Sequence, residues 1–281
     1  MKVIYTEKSQ VLASRIAEKL ECKLGSVKFS IFPDGEQYVR IEDLDDEMVL
    51  VASTVDDNTA LQALLLMDAC EGLNVTLVLP YMGYARQDQK FSDGESISAR
   101  ALARALSEGA QRVITVNIHD KSVLNYFRCS AVNLSVASEI GAYIKTQDVE
   151  NPLILSPDEG ARDFARSVSE HFDWDYDYLD KIRLSGSEVT MDPKHLDAKG
   201  RECYIVDDII ATGGSMALAA SMLMKQGAKS VRAAGVHGVF ALGGYIKLIQ
   251  GGFADVATSD TIERASSKFS ASGIIADAVR K

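Results

Sequence analysis

Short apolar runs alternate with longer stretches whose apolar residues recur every three to four positions, along nearly the whole chain. Runs of the first kind form strands and stretches of the second kind form helices, so the pattern predicts an α/β protein. Strands are expected at Val3–Tyr5, Met48–Ala52, Val75–Pro80, Arg112–Ile118, Leu153–Ser156, Cys203–Val206, Val231–Val236 and Asp255–Thr258. Val75–Pro80 is apolar almost throughout, as a strand covered on both faces should be. Leu12, Ile16 and Leu20 share one helix face, and further helices are expected over Ala60–Cys70, Ser96–Ser107, Ala161–His171, from Met216 onward, over Gly244–Gln250 and near Ser270–Arg280. Pro33-Asp34-Gly35 is a turn signature between Lys28–Phe32 and Gln37–Ile41, which predicts a hairpin or sharp bend. Tyr176–Met191 alternates like an extended arm, with a Ser-Gly-Ser tip at 185–187 expected to be mobile. The pattern lapses after His119-Asp120 and restarts near Gln147–Pro152. That divides the chain into domains 1–147 and 148–281, with a last helix that could pack back on the first.

An internal repeat supports two similar halves. Gly109-Ala110, Val113 and His119 recur as Gly227-Ala228, Val231 and His237, each 118 residues further on. In both places a helix ends at glycine, a natural C-terminal cap, and a strand runs on to a histidine. A duplicated α/β domain is the expectation. In that register Asp93-Gly94-Glu95-Ser96 stands opposite Ala211-Thr212-Gly213-Gly214, which would leave the glycine loop in one copy only.

Composition narrows the class. The chain has 281 residues, 47% hydrophobic and 25% charged, the make-up of an ordinary globular protein. A net charge of −10 argues against a nucleic-acid partner, which needs a basic surface. It is compatible with handling phosphates through a divalent cation. No basic and apolar leader opens the sequence and no apolar run approaches the ~20 residues of a membrane span, so a cytoplasmic protein without a membrane partner is expected. Cys22, Cys70, Cys129 and Cys203 are scattered without a C-x-x-C pair and read as reduced, mostly packed thiols.

The chemistry centres on Val206-Asp207-Asp208-Ile209-Ile210-Ala211-Thr212-Gly213-Gly214-Ser215. A strand-to-helix turn brings backbone N–H groups and the positive end of a helix dipole to one point, where phosphate binds. Glycines let the backbone approach an anion, and Thr212 and Ser215 add hydroxyls. Asp207 and Asp208, one step earlier, suit neighbouring sugar hydroxyls, so a phosphorylated pentose fits. The same residues also suit an ordinary turn at a helix N-cap, and neither G-x-x-x-x-G-K-[ST] nor a G-x-G-x-x-G following a strand occurs. Tyr81–Lys90 follows the carboxyl end of a strand, the side on which open α/β sheets place ligands. Asp158, after Leu153–Ser156, opens a second turn with acidic groups. On spacing alone Lys181 and Arg183 read as a solvated strand face and His119 as a structural hydrogen-bonder. Arg86 beside Asp88 reads as a surface ion pair.

Val206–Ser215 resembles the phosphoribosyl-diphosphate signature of type I phosphoribosyltransferases. Five further segments narrow the likeness: Phe32-Pro-Asp-Gly-Glu36, Tyr84-Ala-Arg-Gln-Asp88, Asn117-Ile-His119-Asp120, Ser156-Pro-Asp158-Glu-Gly160 and Lys181-Ile-Arg183. In this order, over essentially the whole chain, they resemble the ribose-phosphate pyrophosphokinases (phosphoribosyl pyrophosphate synthetases) of the shorter archaeal kind. The resemblance implies two tandem type I phosphoribosyltransferase-like domains, each a mostly parallel sheet flanked by helices, in a homo-oligomer of at least two chains. It implies transfer of the diphosphoryl group of ATP to the 1-hydroxyl of ribose 5-phosphate with Mg²⁺, giving AMP, with ATP on the first domain and the sugar on the second.

By motif, Asp207 and Asp208 would hold the ribose hydroxyls, and Ala211, Thr212, Gly213, Gly214 and Ser215 the 5-phosphate. Phe32, Asp34, Gly35 and Glu36 would meet adenine from a neighbouring subunit, and Arg86 and Gln87 the nucleotide. His119 and Asp158 would serve the Mg²⁺-bound polyphosphate. Lys181 and Arg183 would stabilise the transition state, Arg183 also meeting ribose 5-phosphate. Departures are mild: Ser215 stands where Thr is common, Gly160-Ala161 replaces Gly-Gly, and Gly35 removes one side-chain contact. A phosphoribosyltransferase would keep 207–215 but have no use for 32–36 or 84–88. A catalytically silent regulatory paralogue would be expected to lose Lys181, Arg183 or His119, and a transcriptional regulator would need a basic stretch.

Overall fold

The computed structural model describes residues 1–183 and 189–281. The first unit runs β1 (Lys2–Tyr5), α1 (Gln10–Leu20), β2 (Lys23–Leu24), β3 (Val27–Ile31), β4 (Gln37–Ile41), β5 (Glu47–Val51), α2 (Asp57–Ala69), β6 (Asn74–Leu79), α3 (Ser98–Leu106), β7 (Ala110–Val116) and β8 (Ser130–Leu134). Its six-stranded sheet has the order β2-β1-β5-β6-β7-β8 and is parallel throughout, while β3 and β4 form a separate antiparallel hairpin. Leu50 and Leu77 on the sheet, with Leu66, Ala103 and Leu106 on its helices, are fully buried in one cluster. These are the apolar strand runs and helix faces that the periodicity picks out.

The second unit runs α4 (Ala137–Lys145), β9 (Leu153–Ser156), α5 (Arg162–Ser169), β10 (Tyr176–Arg183), β11 (Val189–Pro193), β12 (Glu202–Ile210), α6 (Gly214–Lys225), β13 (Ser230–Gly238), α7 (Gly244–Gln250), β14 (Asp255–Ser259) and β15 (Ser267–Phe269). Its sheet order is β11-β10-β9-β12-β13-β14-β15, parallel except for the antiparallel β10–β11 pair. Leu155, Ile205, Val231, Ala219, Leu223 and Leu248 form its core. The last helix, α8 (Ser272–Val279), belongs to the first unit, where Arg112 Nη1 donates to the Ala278 carbonyl at 3.1 Å.

The units divide between Ser135 and Val136, earlier than 147/148, with Asp260–Glu263 and Ser270–Lys281 returning to the first unit. Helix α4 falls in the second unit because its packing partners are there. Tyr143 Oη donates to Asp255 at 2.8 Å, and its ring lies 5.7 Å from that of Phe269. A β-carbon on Gly141 would stand 2.4 Å from the Phe172 ring, so α4 seats on the α5 region through a glycine.

Duplication is visible in topology, but in a different register. Numbering the parallel strands of each unit in chain order, both sheets read 2-1-3-4-5-6, with β11 added at the edge of the second. Strand β12 therefore corresponds to β5 and β13 to β6, whereas the 118-residue shift pairs β13 with β7. The reason is chemical. Four helix-to-strand junctions here place a left-handed glycine before the strand, Gly72, Gly109, Gly227 and Gly252 all having positive φ. Similar junctions thus imitate one another one strand out of step. The counterpart of the 211–215 loop is the turn Ala52–Asp56 between β5 and α2, not 93–96.

Candidate functional site

Sheets wound in this order take ligands beyond the carboxyl ends of the strands, at the point between the first and third strands where connections leave on opposite faces. In the second unit these strands are β9 and β12, adjacent and parallel, with Ile205 beside Leu155. Asp158 follows the first, and Asp207–Ser215 follows or ends the second.

Strand β12 runs further than the apolar pattern indicates. Asp207 pairs with Gly235, and Ile209 and Ile210 with His237 and Gly238. The acidic pair therefore lies inside the strand rather than at its end. Asp207 Oδ1 accepts the Asp208 backbone N–H at 2.9 Å. Burial, then the charge of Asp208, and further off that of Asp158, push the Asp207 carboxyl well above the usual carboxylate range. His237, on the adjoining strand, is buried at 2% exposure. Asp158 is exposed, and its carboxylate accepts the Ala161 N–H at 3.1 Å, capping a single 3-10 turn.

The loop after β12 starts α6 at Gly214, two residues before the predicted Met216. Gly213 is the N-cap, with φ +71° and no side-chain capping bond, so the first-turn N–H groups have no internal acceptor from the cap. Thr212, Gly214 and Ser215 are exposed, and a β-carbon on Gly214 would meet nothing within 4 Å. Ala211 is half-buried. An uncapped, open helix start behind two hydroxyl residues can receive an anion.

The matching turn of the first unit is filled from within. Asp56 caps α2, its carboxylate accepting the Thr59 N–H at 2.9 Å while the Thr59 hydroxyl accepts the Asp56 N–H at 3.1 Å. Residues 260–263 add to this. Ser53 Oγ donates to the Thr261 carbonyl at 2.5 Å, Asp260 pairs with Arg15 at 2.6 Å, and Glu263 Oε1 accepts the Leu12 N–H at 2.8 Å in the first turn of α1. The chain's own carboxylates occupy the helix starts there.

Lys181 and Arg183 lie on the part of β10 that runs beyond Ser156, the last residue of β9, where it pairs with β11 from Leu179–Pro193 to Arg183–Val189. Their side chains, and the tip at 185–187, lie outside the described residues.

The nucleotide candidates are all in the first unit. Phe32, Asp34, Gly35 and Glu36 form the exposed end of the β3–β4 hairpin. The Phe32 N–H donates to the Glu36 carbonyl at 2.8 Å, Gly35 has φ +96°, and the Phe32 ring, 49% exposed, stands edge-on to Tyr38. Arg86 and Gln87 lie in the loop after β6, and exposed His119 follows β7, the adjoining strand. The β6 loop is tightly seated. The Gly83 N–H donates to Thr54 Oγ1 at 2.8 Å, and a β-carbon on Gly83 would stand 2.1 Å from the Thr54 carbonyl oxygen. Tyr84 has φ +63°, and its hydroxyl is bonded to Asp57. Thr54, Asp57 and Glu95 were not legible as site residues. Asp56-x-x-Thr59 is the one signal that capping rules could have found. Among the described residues no group of three or more His, Cys, Asp or Glu side chains is arranged to cage a metal.

Fold and site together define a phosphoribosyl transferase architecture: residues 122–242 match the phosphoribosyl transferase domain, and residues 1–109 the N-terminal domain of ribose phosphate pyrophosphokinase. The chain is 45% identical to the ribose-phosphate pyrophosphokinase of Methanosarcina acetivorans, with 100% of both proteins covered. It is 46% identical to that of Methanosarcina mazei, over 99% of this chain and 95% of that one. It also matches the crystal structure of phosphoribosylpyrophosphate synthetase from Mycobacterium smegmatis, with a TM-score of 0.84, 25% identity, and 99% and 97% of the two chains covered. The chain belongs to the ribose-phosphate pyrophosphokinase family, transferases of nucleotide biosynthesis.

Proposed function

We propose that the chain transfers the β,γ-diphosphoryl group of ATP to ribose 5-phosphate, giving 5-phosphoribosyl 1-diphosphate and AMP. The observation that carries this is the acidic pair inside β12 followed, after Ile209 and Ile210, by the uncapped start of α6. Asp207 and Asp208 hold the ribose hydroxyls, and Ala211, Thr212, Gly213, Gly214 and Ser215 hold the 5-phosphate, with Arg183 assisting. The first unit binds ATP through Arg86, Gln87 and His119. Phe32, Asp34, Gly35 and Glu36 meet the adenine of a neighbouring subunit in a homo-oligomer. Support for that last assignment is the exposure of Phe32 and of Ile31, the latter at 73%, on the hairpin end. The 1-oxygen of the sugar attacks the β-phosphorus. The bond from that phosphorus to the α,β-bridging oxygen breaks, AMP leaves with the oxygen, and the hydroxyl proton passes to solvent. Negative charge grows on the non-bridging oxygens, and Lys181 and Arg183 stabilise it there.

The donor set suits Mg²⁺, which needs few protein ligands beside substrate phosphates. A carboxylate whose proton affinity is raised by burial and then by neighbouring carboxylates, as at Asp207, is relieved by a nearby cation. Asp158 and His119 would hold the Mg²⁺-bound polyphosphate; when present the ion supplies charge neutralisation on it. Cytoplasmic residence suits this chemistry, and no described helix is long and apolar enough to cross a membrane.

Oxygen-18 in the 1-hydroxyl of ribose 5-phosphate tests the reaction class. Label retained between C1 and phosphorus is expected. Label lost faster than the free sugar's own 1-oxygen exchanges with water, or carried off on a leaving group, would mean that C1 is attacked, which is phosphoribosyltransferase chemistry.

A further inference from the structure

The loop that carries Arg86 and Gln87 is tied to a carboxylate that no motif includes. Glu95 Oε2 accepts the Phe91 N–H at 2.8 Å, the Ser92 N–H at 3.1 Å and Gln87 Nε2 at 3.4 Å. The same Gln87 nitrogen donates to the Gln89 carbonyl at 3.1 Å. The Gln87 backbone is fixed as well, its N–H on the Tyr84 carbonyl at 3.3 Å and its carbonyl accepting the Ala99 N–H at 3.2 Å, where α3 begins. Tyr126 Oη donates to the next carbonyl, that of Asp88, at 3.0 Å.

A primary amide has two N–H donors and one carbonyl acceptor. With one donor on Gln89 and the other on Glu95, Gln87 has only its Oε1 left to offer. The Gln89 carbonyl and Glu95 hold the amide nitrogen together, and Glu95, fixed by the Phe91 and Ser92 N–H groups, is the side-chain half of that hold on which way the amide faces. We propose that Glu95 is a positioning residue of the nucleotide site, which turns the Gln87 amide so that it presents an acceptor to the nucleoside. Such an acceptor meets an N–H or O–H of the base or ribose and repels phosphate oxygens. This rests on the assignment of the 84–88 loop to the nucleotide.

A double-mutant cycle on the full-length protein separates the two claims. Gln87→Ala should raise KM for ATP about tenfold, with kcat and KM for ribose 5-phosphate within about twofold, the worth of one well-placed hydrogen bond. Unchanged KM for ATP would remove the nucleotide assignment itself. Glu95→Ala should raise KM for ATP to a similar degree, and adding it to Gln87→Ala should cost little more. Effects that multiply, or a rise in both KM values, would reduce Glu95 to a loop-shaping residue and overturn the proposal. Glu95→Gln, which keeps one acceptor oxygen and perturbs folding least, should retain most of the affinity; a loss equal to that of Glu95→Ala would also overturn it. ITP lacks the base amine, and 2′-deoxy-ATP and 3′-deoxy-ATP each lack one ribose hydroxyl, so the analogue on which Gln87→Ala has no effect identifies the donor met. An undiminished effect on all three would contradict acceptor presentation.

Discussion

A β-carbon on Gly244 would stand 2.5 Å from the Ala211 carbonyl oxygen, and one on Gly213 would stand 2.7 Å from the Gly244 carbonyl oxygen. The first residue of α7 and the turn before α6 are thus in backbone contact, and the shape of the 211–215 loop depends on a helix outside its motif. Gly244→Ala has backbone, not a flexible side chain, as its obstacle. Overpacking of this kind costs about 1–3 kcal/mol. Calorimetric titration should show ribose 5-phosphate affinity falling at least tenfold while ATP affinity stays within twofold. Unchanged sugar binding would mean that the loop does not depend on this contact.

Much of this was legible beforehand because strands buried on both faces and helices with one apolar stripe announce themselves. Helix α7 spans the residues predicted, Gly244–Gln250. Helix α4 did not announce itself. Its close seating requires Gly141 in mid-helix, which weakens the local signal that would reveal it. Strand β8, Ser-Ala-Val-Asn-Leu at the sheet edge, is too mixed in polarity to stand out. At the proposed site, the residues assigned the ligand chemistry were named from motif. Those that hold them, such as Thr54 under Gly83 and Glu95 beside Gln87, act through tertiary contacts that leave no periodic trace.

Asp207 makes stability fall as pH rises. Its folded carboxyl titrates well above its unfolded value, so between the unfolded value of about 4 and the raised folded one the native state binds more protons than the unfolded state. Stability is lost across that window on going up in pH. Thermal unfolding followed against pH should therefore show Asp207→Asn gaining on the parent protein as pH rises, and Mg²⁺ should narrow the gap. Parallel curves would show that Asp207 is not held protonated.

Glu263 acts on the start of α1 from 251 positions away, accepting the Leu12 N–H where the N-cap Ser9 makes no side-chain capping bond. Loss of a helix cap costs about 1 kcal/mol. Glu263→Ala should lower the melting temperature by roughly 2–4 °C in differential scanning calorimetry while leaving kcat and both KM values unaltered. An unchanged melting point would show that this cap adds nothing.

Lys181 tests the arm. Removing one donor to developing charge costs about 10²–10³ in rate. Lys181→Ala should lose kcat on that scale while equilibrium binding of ribose 5-phosphate stays near that of the parent. Equal losses in both would make the β10–β11 arm a binding element.

The central claim is diphosphoryl transfer, and a phosphorus NMR time course with ATP, ribose 5-phosphate and Mg²⁺ tests it most directly. The expected record is loss of all three ATP resonances, with AMP and a sugar diphosphate appearing in equal amounts. Accumulation of ADP, or an unchanged spectrum, would contradict it.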